Sequence, residues 1–267
     1  MASGLVTISS NALDAKFQQL REQGRKALVC YVTAGHPTRA ASVAALRAIE
    51  AAGADVLEVG VPFSDPMADG PVIQASSQTA LDQGTTLDDA LAMIREAGLS
   101  IPVVLFSYLN PILAGGDDVL ARAREAGCAG VLVTDLPVGA DPAREAWFST
   151  QGLAFVRLVA PTTPEARIRE IGAHGAGFVY LISRLGVTGA RDSMPAELPE
   201  TVARVRRETT LPVCVGFGVS TPEHARAVAA LADGVIVGTA IVKALNESVD
   251  AAAALVRAMR HAIDTPA

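Results

Sequence analysis

Short apolar, β-branched runs alternate with Ala-rich stretches along nearly the whole chain. The runs at 28–33, 56–59, 103–107, 130–134, 154–159, 178–182, 213–216 and 235–237 read as strands, since Val and Ile favour a pleated, buried surface. Between them lie segments whose apolar residues recur every three or four positions. These predict helices near 40–51, 72–82, 88–97, 117–126, 142–150, 164–172, 198–207 and 222–230. A last helix near 249–262 carries Val249, Ala252, Val256, Met259 and Ile263, spaced so that they form one buried stripe.

Eight strand–helix units within 267 residues predict an α/β fold of the (β/α)8 TIM-barrel type, forming one domain over residues 1–267. A doubly wound parallel sheet is the competing architecture, but it has less reason to stop at eight strands. An extra helix near 10–22 precedes the first strand and is expected to cap the barrel floor. A short helical run, 240–245, follows strand eight. In a barrel, the C-terminal strand ends share the catalytic face. Glu58, Asp135, Tyr180, Gly216 and Gly238 are therefore expected to converge.

Composition narrows the function classes. Half the residues are hydrophobic and only 4% are aromatic, so the core is expected to be built from Ala, Val, Leu and Ile. The net charge of −6 and the lack of basic clusters interleaved with aromatics argue against nucleic acid. No apolar run reaches the length of a membrane span, and no leader pattern opens the chain, so a cytoplasmic protein is expected. Cys30, Cys128 and Cys214 are widely spaced within or beside strand runs and read as buried free thiols.

The densest chemistry lies in the run 57–70, LEVGVPFSDPMADG, where a strand turns into a loop punctuated by Pro and Gly. Side chains alternate along a strand, so Leu57 and Val59 suit the helix-facing side and Glu58 points into the barrel. An unpaired inward carboxyl is costly to ionise, and its raised pKa suits a group that gives and takes a proton near neutral pH. A carboxylate paired with Arg is the alternative. Asp65 and Asp69 in the following loop serve either as turn formers or as ligand contacts. Gly216-Phe-Gly218 after strand seven and Gly238-Thr239 after strand eight suit a phosphate site, where backbone N–H groups and a helix N-terminus approach the oxygens. The loop 183–190 reads as a lid or as an ordinary surface loop.

Other chemistries lack their residues. Lys16, Lys26 and Lys243 are the only lysines, and none ends a strand at the catalytic face, so a Schiff-base aldolase would lack its nucleophile. Of His36, His174, His224 and His261, only His36 falls in a loop on that side, which disfavours a His-based metal cluster. Carboxylate acid–base chemistry on a small phosphorylated substrate is what remains.

The ordered set of motifs resembles the alpha chain family of tryptophan synthase. The resemblance is carried by Glu58 with the following GVPFSDPMADGP run, and by Tyr108-Leu-Asn-Pro and Asp135-Leu-Pro. It continues through Tyr180-Leu-Ile-Ser-Arg184, Gly186-Val-Thr-Gly189, Gly216-Phe-Gly218 and Gly238-Thr-Ala. The resemblance implies a carbon–carbon lyase that cleaves indole-3-glycerol phosphate to indole and glyceraldehyde 3-phosphate in tryptophan biosynthesis, with no Schiff base and no metal. It implies Glu58 as the catalytic acid–base group and Asp69 as the second catalytic carboxylate, leaving Asp65 structural. It implies substrate contacts from Tyr180, Tyr31, Phe106, Thr188, Gly189, Gly216, Gly218, Gly238 and Thr239. The implied partner is a beta chain holding pyridoxal phosphate, in an alpha2beta2 heterotetramer, with no cofactor on this chain. A stand-alone lyase of the same family, active without a beta chain, is the alternative. His36 before Pro37, and Gly139, depart from the family's common pattern.

Overall fold

A computed structural model describes residues 11–182, 196–216 and 218–265. Eight parallel strands close into a barrel in chain order, with the last paired to the first. They are β1 (Ala27–Thr33), β2 (Val56–Gly60), β3 (Val103–Ser107), β4 (Cys128–Val133), β5 (Ala154–Val159), β6 (Val179–Ile182), β7 (Val213–Gly216) and β8 (Gly234–Val237). Closure removes the doubly wound alternative. The expected strands agree with these to within two residues at either end.

Parity along the strands separates two cores. Leu57 and Val59 join Leu28, Cys30, Leu105 and Val131 in the layer between sheet and helices. Val56, Val29, Val104 and Val156 fill the barrel interior. Register then places Tyr31 beside Glu58 and Glu58 beside Val104, so these side chains share the inward face.

Helix α1 (Ala12–Glu22) plugs the N-terminal end, as its position ahead of β1 suggests. Leu13, Phe17 and Leu20 are buried in the interior core, and the Phe17 ring meets Phe178 at 5.4 Å. Asn11 caps the helix and donates to the carbonyls of Ala129 and Gly152, tying the plug to the barrel.

At the same end, a buried ion pair ties the starts of β1 and β2 to the last helix. Asp55, just before β2, accepts from the Leu28 amide and from Arg260 of α12 (Val249–Asp264), both at 2.9 Å. Arg260 also donates to the Lys26 carbonyl. A buried pair of this kind contributes little net stability when intact, but costs roughly 3–5 kcal/mol when one partner is removed.

Helices α2 (Arg39–Ala51), α3 (Pro71–Asp82), α4 (Leu87–Ala97), α5 (Leu109–Ala114), α6 (Val119–Glu125), α7 (Pro142–Thr150), α8 (Glu165–Ala173), α9 (Leu198–Glu208), α10 (Pro222–Leu231) and α11 (Thr239–Glu247) complete the described set with α12. The sequence pattern does not announce α5, whose six residues are too few to show a helical period.

Candidate active site

The C-terminal mouth of the barrel holds a cavity lined by Tyr31, Glu58, Asp69, Ile73, Phe106, Tyr180, Gly218, Val219, Ile236, Gly238 and Thr239. Residues from β1, β2, β3, β6 and β8 thus meet those of the loops after β2, β7 and β8.

Glu58 sits on the inward face of β2 with only 1% of its surface exposed. Among the described residues it makes no ion pair, and its buried Oε1 has no hydrogen-bond partner. No arginine of the described residues pairs with it. Burial alone pushes the carboxyl up to about 8, because nothing nearby offsets the loss of water.

Asp69 is placed differently. It ends the loop after β2, one residue before Gly70, the N-cap of α3. Its backbone is pinned on both sides: the amide donates to the Pro66 carbonyl, and Gln74 donates to its carbonyl at 2.9 Å. Its Oδ2 accepts from the Tyr108 hydroxyl at 2.9 Å, and that same hydroxyl accepts from the Ala68 amide. Burial raises the Asp69 carboxyl to about 6, against the lowering effect of Tyr108. Glu58 thus holds its proton to higher pH than Asp69 does. One cavity thereby contains two carboxyls of unlike acidity, set apart by their surroundings. Asp65, by contrast, is exposed, accepts from the Ser64 hydroxyl and lies outside the lining, consistent with a turn residue.

Tyr108 was not among the expected site residues. Its signal was its place directly after β3, on the same face as the other strand ends. Phe63 stacks against its ring at 5.0 Å. Tyr108→Phe is expected to lower activity roughly tenfold at pH 7, by loosening Asp69 and raising its pKa. The acid limb of a kcat/KM profile should move to higher pH; an unmoved limb would show that the hydroxyl does not govern Asp69.

Two large side chains are admitted by glycines on the neighbouring strand. A Cβ on Gly60 would lie 2.0 Å from the Tyr31 hydroxyl, and one on Gly216 would lie 2.4 Å from the Tyr180 hydroxyl. Gly216 is therefore the seat of the Tyr180 ring and does not figure in the cavity lining. Tyr31 packs edge-on to Phe106, with centroids 5.3 Å apart. Together with Ile73 and Ile236, these rings give the cavity an apolar flat-walled side.

Backbone completes the lining, with Gly238 lying directly against Tyr31. Gly218 has φ +90 and open space where a Cβ would stand. Gly238 is the N-cap of α11 and offers no side-chain cap. The first-turn N–H groups of this helix therefore lack a side-chain partner from their N-cap, at the dipole's positive end. The other expected residues have other fates. Asp135 does not converge with the rest: it is exposed, and its carboxylate accepts from the Leu109 amide at the start of α5. Thr188, Gly189 and the whole 183–190 loop lie outside the described residues. Among the described residues, no group of three or more His, Cys, Asp or Glu side chains is disposed to hold a metal ion.

Fold and cavity together define a (β/α)8-barrel protein in which two unlike carboxyls and the N-terminus of α11 line one cavity. The profile of the tryptophan synthase alpha chain family matches residues 17–265. The chain belongs to that family, whose members are enzymes of tryptophan biosynthesis. The tryptophan synthase alpha chain of Geobacter sulfurreducens is 48% identical over 230 residues, covering 85% of this chain and 87% of that one. The alpha chain of Carboxydothermus hydrogenoformans is 45% identical over 232 residues, covering 86% and 87%. Among solved structures, a Mycobacterium tuberculosis tryptophan synthase chain superposes with a TM-score of 0.89 at 36% identity, covering 97% of this chain and all of that one. The alpha subunit from Legionella pneumophila gives 0.87 at 36% identity, covering 96% and 99%.

Proposed function

We propose that this chain cleaves indole-3-glycerol phosphate to indole and glyceraldehyde 3-phosphate by a retro-aldol step. The observation that carries the reading is the placement in one cavity of two unlike carboxyls, Glu58 buried with an unpartnered oxygen and Asp69 held by the Tyr108 hydroxyl. The apolar wall of Tyr31 and Phe106 suits a flat indole, and the Gly218, Gly238 and Thr239 backbone suits a phosphate.

A carbon–carbon cleavage needs an electron sink. Lys16, Lys26 and Lys243 all lie outside the lining, so the reading assigns that role to the substrate's own ring. Protonation of indole C3 makes an indolenine cation. Loss of the proton from the adjacent glycerol hydroxyl then lets that oxygen form a carbonyl, and the carbon–carbon bond breaks into the ring. Glu58 serves these proton transfers. Ionised Asp69 accepts the indole N–H and stabilises the positive charge that develops there. Tyr180 closes the far side of the cavity.

A beta chain is the partner in this reading, in an alpha2beta2 assembly, with pyridoxal phosphate carried by the partner. The deciding experiment incubates the purified chain with indole-3-glycerol phosphate, with and without beta chain. Indole and glyceraldehyde 3-phosphate should appear in equal amounts, faster with the partner; no indole in either case would sink the reading.

Gly218→Val tests the phosphate wall. A β-branched residue there adds bulk at the cavity lining and strains a backbone at φ +90, so KM should rise about tenfold while kcat holds. An unchanged KM would remove Gly218 from the site.

A further inference from the structure

Helix α11 points its uncapped N-terminus at the cavity, yet its other end is fastened to a distant loop. His36, in the turn between β1 and α2, places Nε2 2.9 Å from the side-chain oxygen of Asn246, one residue from the end of α11. The imidazole is only 4% exposed, and its Nδ1 is buried with no hydrogen-bond partner. Asn246 itself lies on the surface.

We infer that His36 is a positioning residue for the phosphate wall, holding α11 on its axis through a neutral, Nε2-protonated imidazole. The inference rests on the reading of Gly238 and Thr239 as phosphate contacts. Its tautomer follows from hydrogen-bond accounting. With Nε2–H donating to the Asn246 oxygen, the unmet Nδ1 is only a lone pair. The reverse arrangement would bury an unmet N–H, which costs more. A second proton would create that same orphan donor together with a charge.

Among the described residues no counter-ion pairs with His36. Arg39 at the start of α2 pairs with Glu96 of α4. Asp89 of α4 is bound in the capping box with Thr86. Lys243 and Glu247 of α11 are exposed and make no ion pair with His36. Burial accordingly holds the ring below the ordinary histidine value, against the opposing pull of Asn246. The α11 residues Ile241, Val242 and Leu245 anchor the helix laterally; the His36 bond adds the constraint at its far end, and so the aim of its first turn.

Removing one hydrogen bond of this kind shifts a binding constant about five- to tenfold. His36→Ala should raise KM for indole-3-glycerol phosphate, and the inhibition constant for inorganic phosphate, by that factor, with a smaller change in kcat. His36→Gln, whose amide nitrogen reaches a similar position, should restore both. Asn246→Ala breaks the same bond from the surface and should reproduce the effect, which covers the case in which His36→Ala folds poorly. Imidazole nitrogen NMR on the unliganded chain should show the Nε2–H tautomer and a titration below the ordinary value. Phosphate inhibiting wild type and both alanine variants equally would overturn the positioning role alone, as would an Nδ1–H tautomer. Wild type that phosphate does not inhibit would overturn the phosphate wall, and this role with it.

Discussion

Replacing Glu58 with Gln is expected to leave a folded protein that cleaves indole-3-glycerol phosphate roughly a thousandfold more slowly, the range lost with a general acid–base group. Gln fills the same space between Tyr31 and Val104 but neither yields nor takes a proton. Stability gives an independent check, because the Glu58 carboxyl titrates near 8 when folded against an ordinary 4.5. Its protonated form is favoured by folding. The corresponding stability is fully present below pH 4.5 and is lost as pH rises to about 8. By pH 7 the difference amounts to about 3 kcal/mol at this shift. Wild type should therefore lose stability relative to Glu58→Gln between pH 5 and 8, and the gap should close below pH 4.5. A variant that stays active, or a stability gap flat across that range, would remove Glu58 from the role or from its buried state.

Asp69→Asn should cost about a hundred- to a thousandfold in kcat, with KM changed much less, since the charge it supplies matters most as the ring becomes cationic. The amide still accepts from Tyr108, so the loop should keep its shape. The pH profile distinguishes charge from shape. In the proposed mechanism Asp69 acts ionised, and its carboxyl is raised to about 6, so wild-type activity should fall as pH drops through 6. In Asp69→Asn that limb should disappear. Retention of the limb, or a kcat within tenfold of wild type, would place the charge elsewhere.

Much of this architecture was legible because it depends on local alternation. Leu57 outward and Glu58 inward follow from parity alone, and Leu13, Phe17 and Leu20 sit where an amphipathic plug helix requires them. Asp65 and Asp69 were locally equivalent, each a plausible turn residue; only the Tyr108 hydroxyl arriving from β3 separates their environments. Asp135 follows β4 by two residues, but the amide of Leu109 at the start of α5 claims its carboxylate. Gly216 lies in a glycine pair resembling a phosphate loop, yet its missing Cβ makes room for Tyr180. The His36–Asn246 bond spans 210 positions. Each of these depends on which distant group arrives, information that no local periodicity contains.

The Asp55–Arg260 pair at the barrel floor also makes the start of the barrel depend on its last helix. Its partners are 205 residues apart, and the seam between β1 and β8 lies beside it. A chain shortened before residue 260 would keep Asp55 and lose the buried guanidinium that faces it. The more exposed Arg25, at 3.8 Å, is the ion partner that would remain. Burying that carboxylate then costs more than in the whole chain, by the roughly 3–5 kcal/mol of a broken buried pair. Damage to the last helix would therefore be felt at the opposite end of the chain, where β1 and β2 begin.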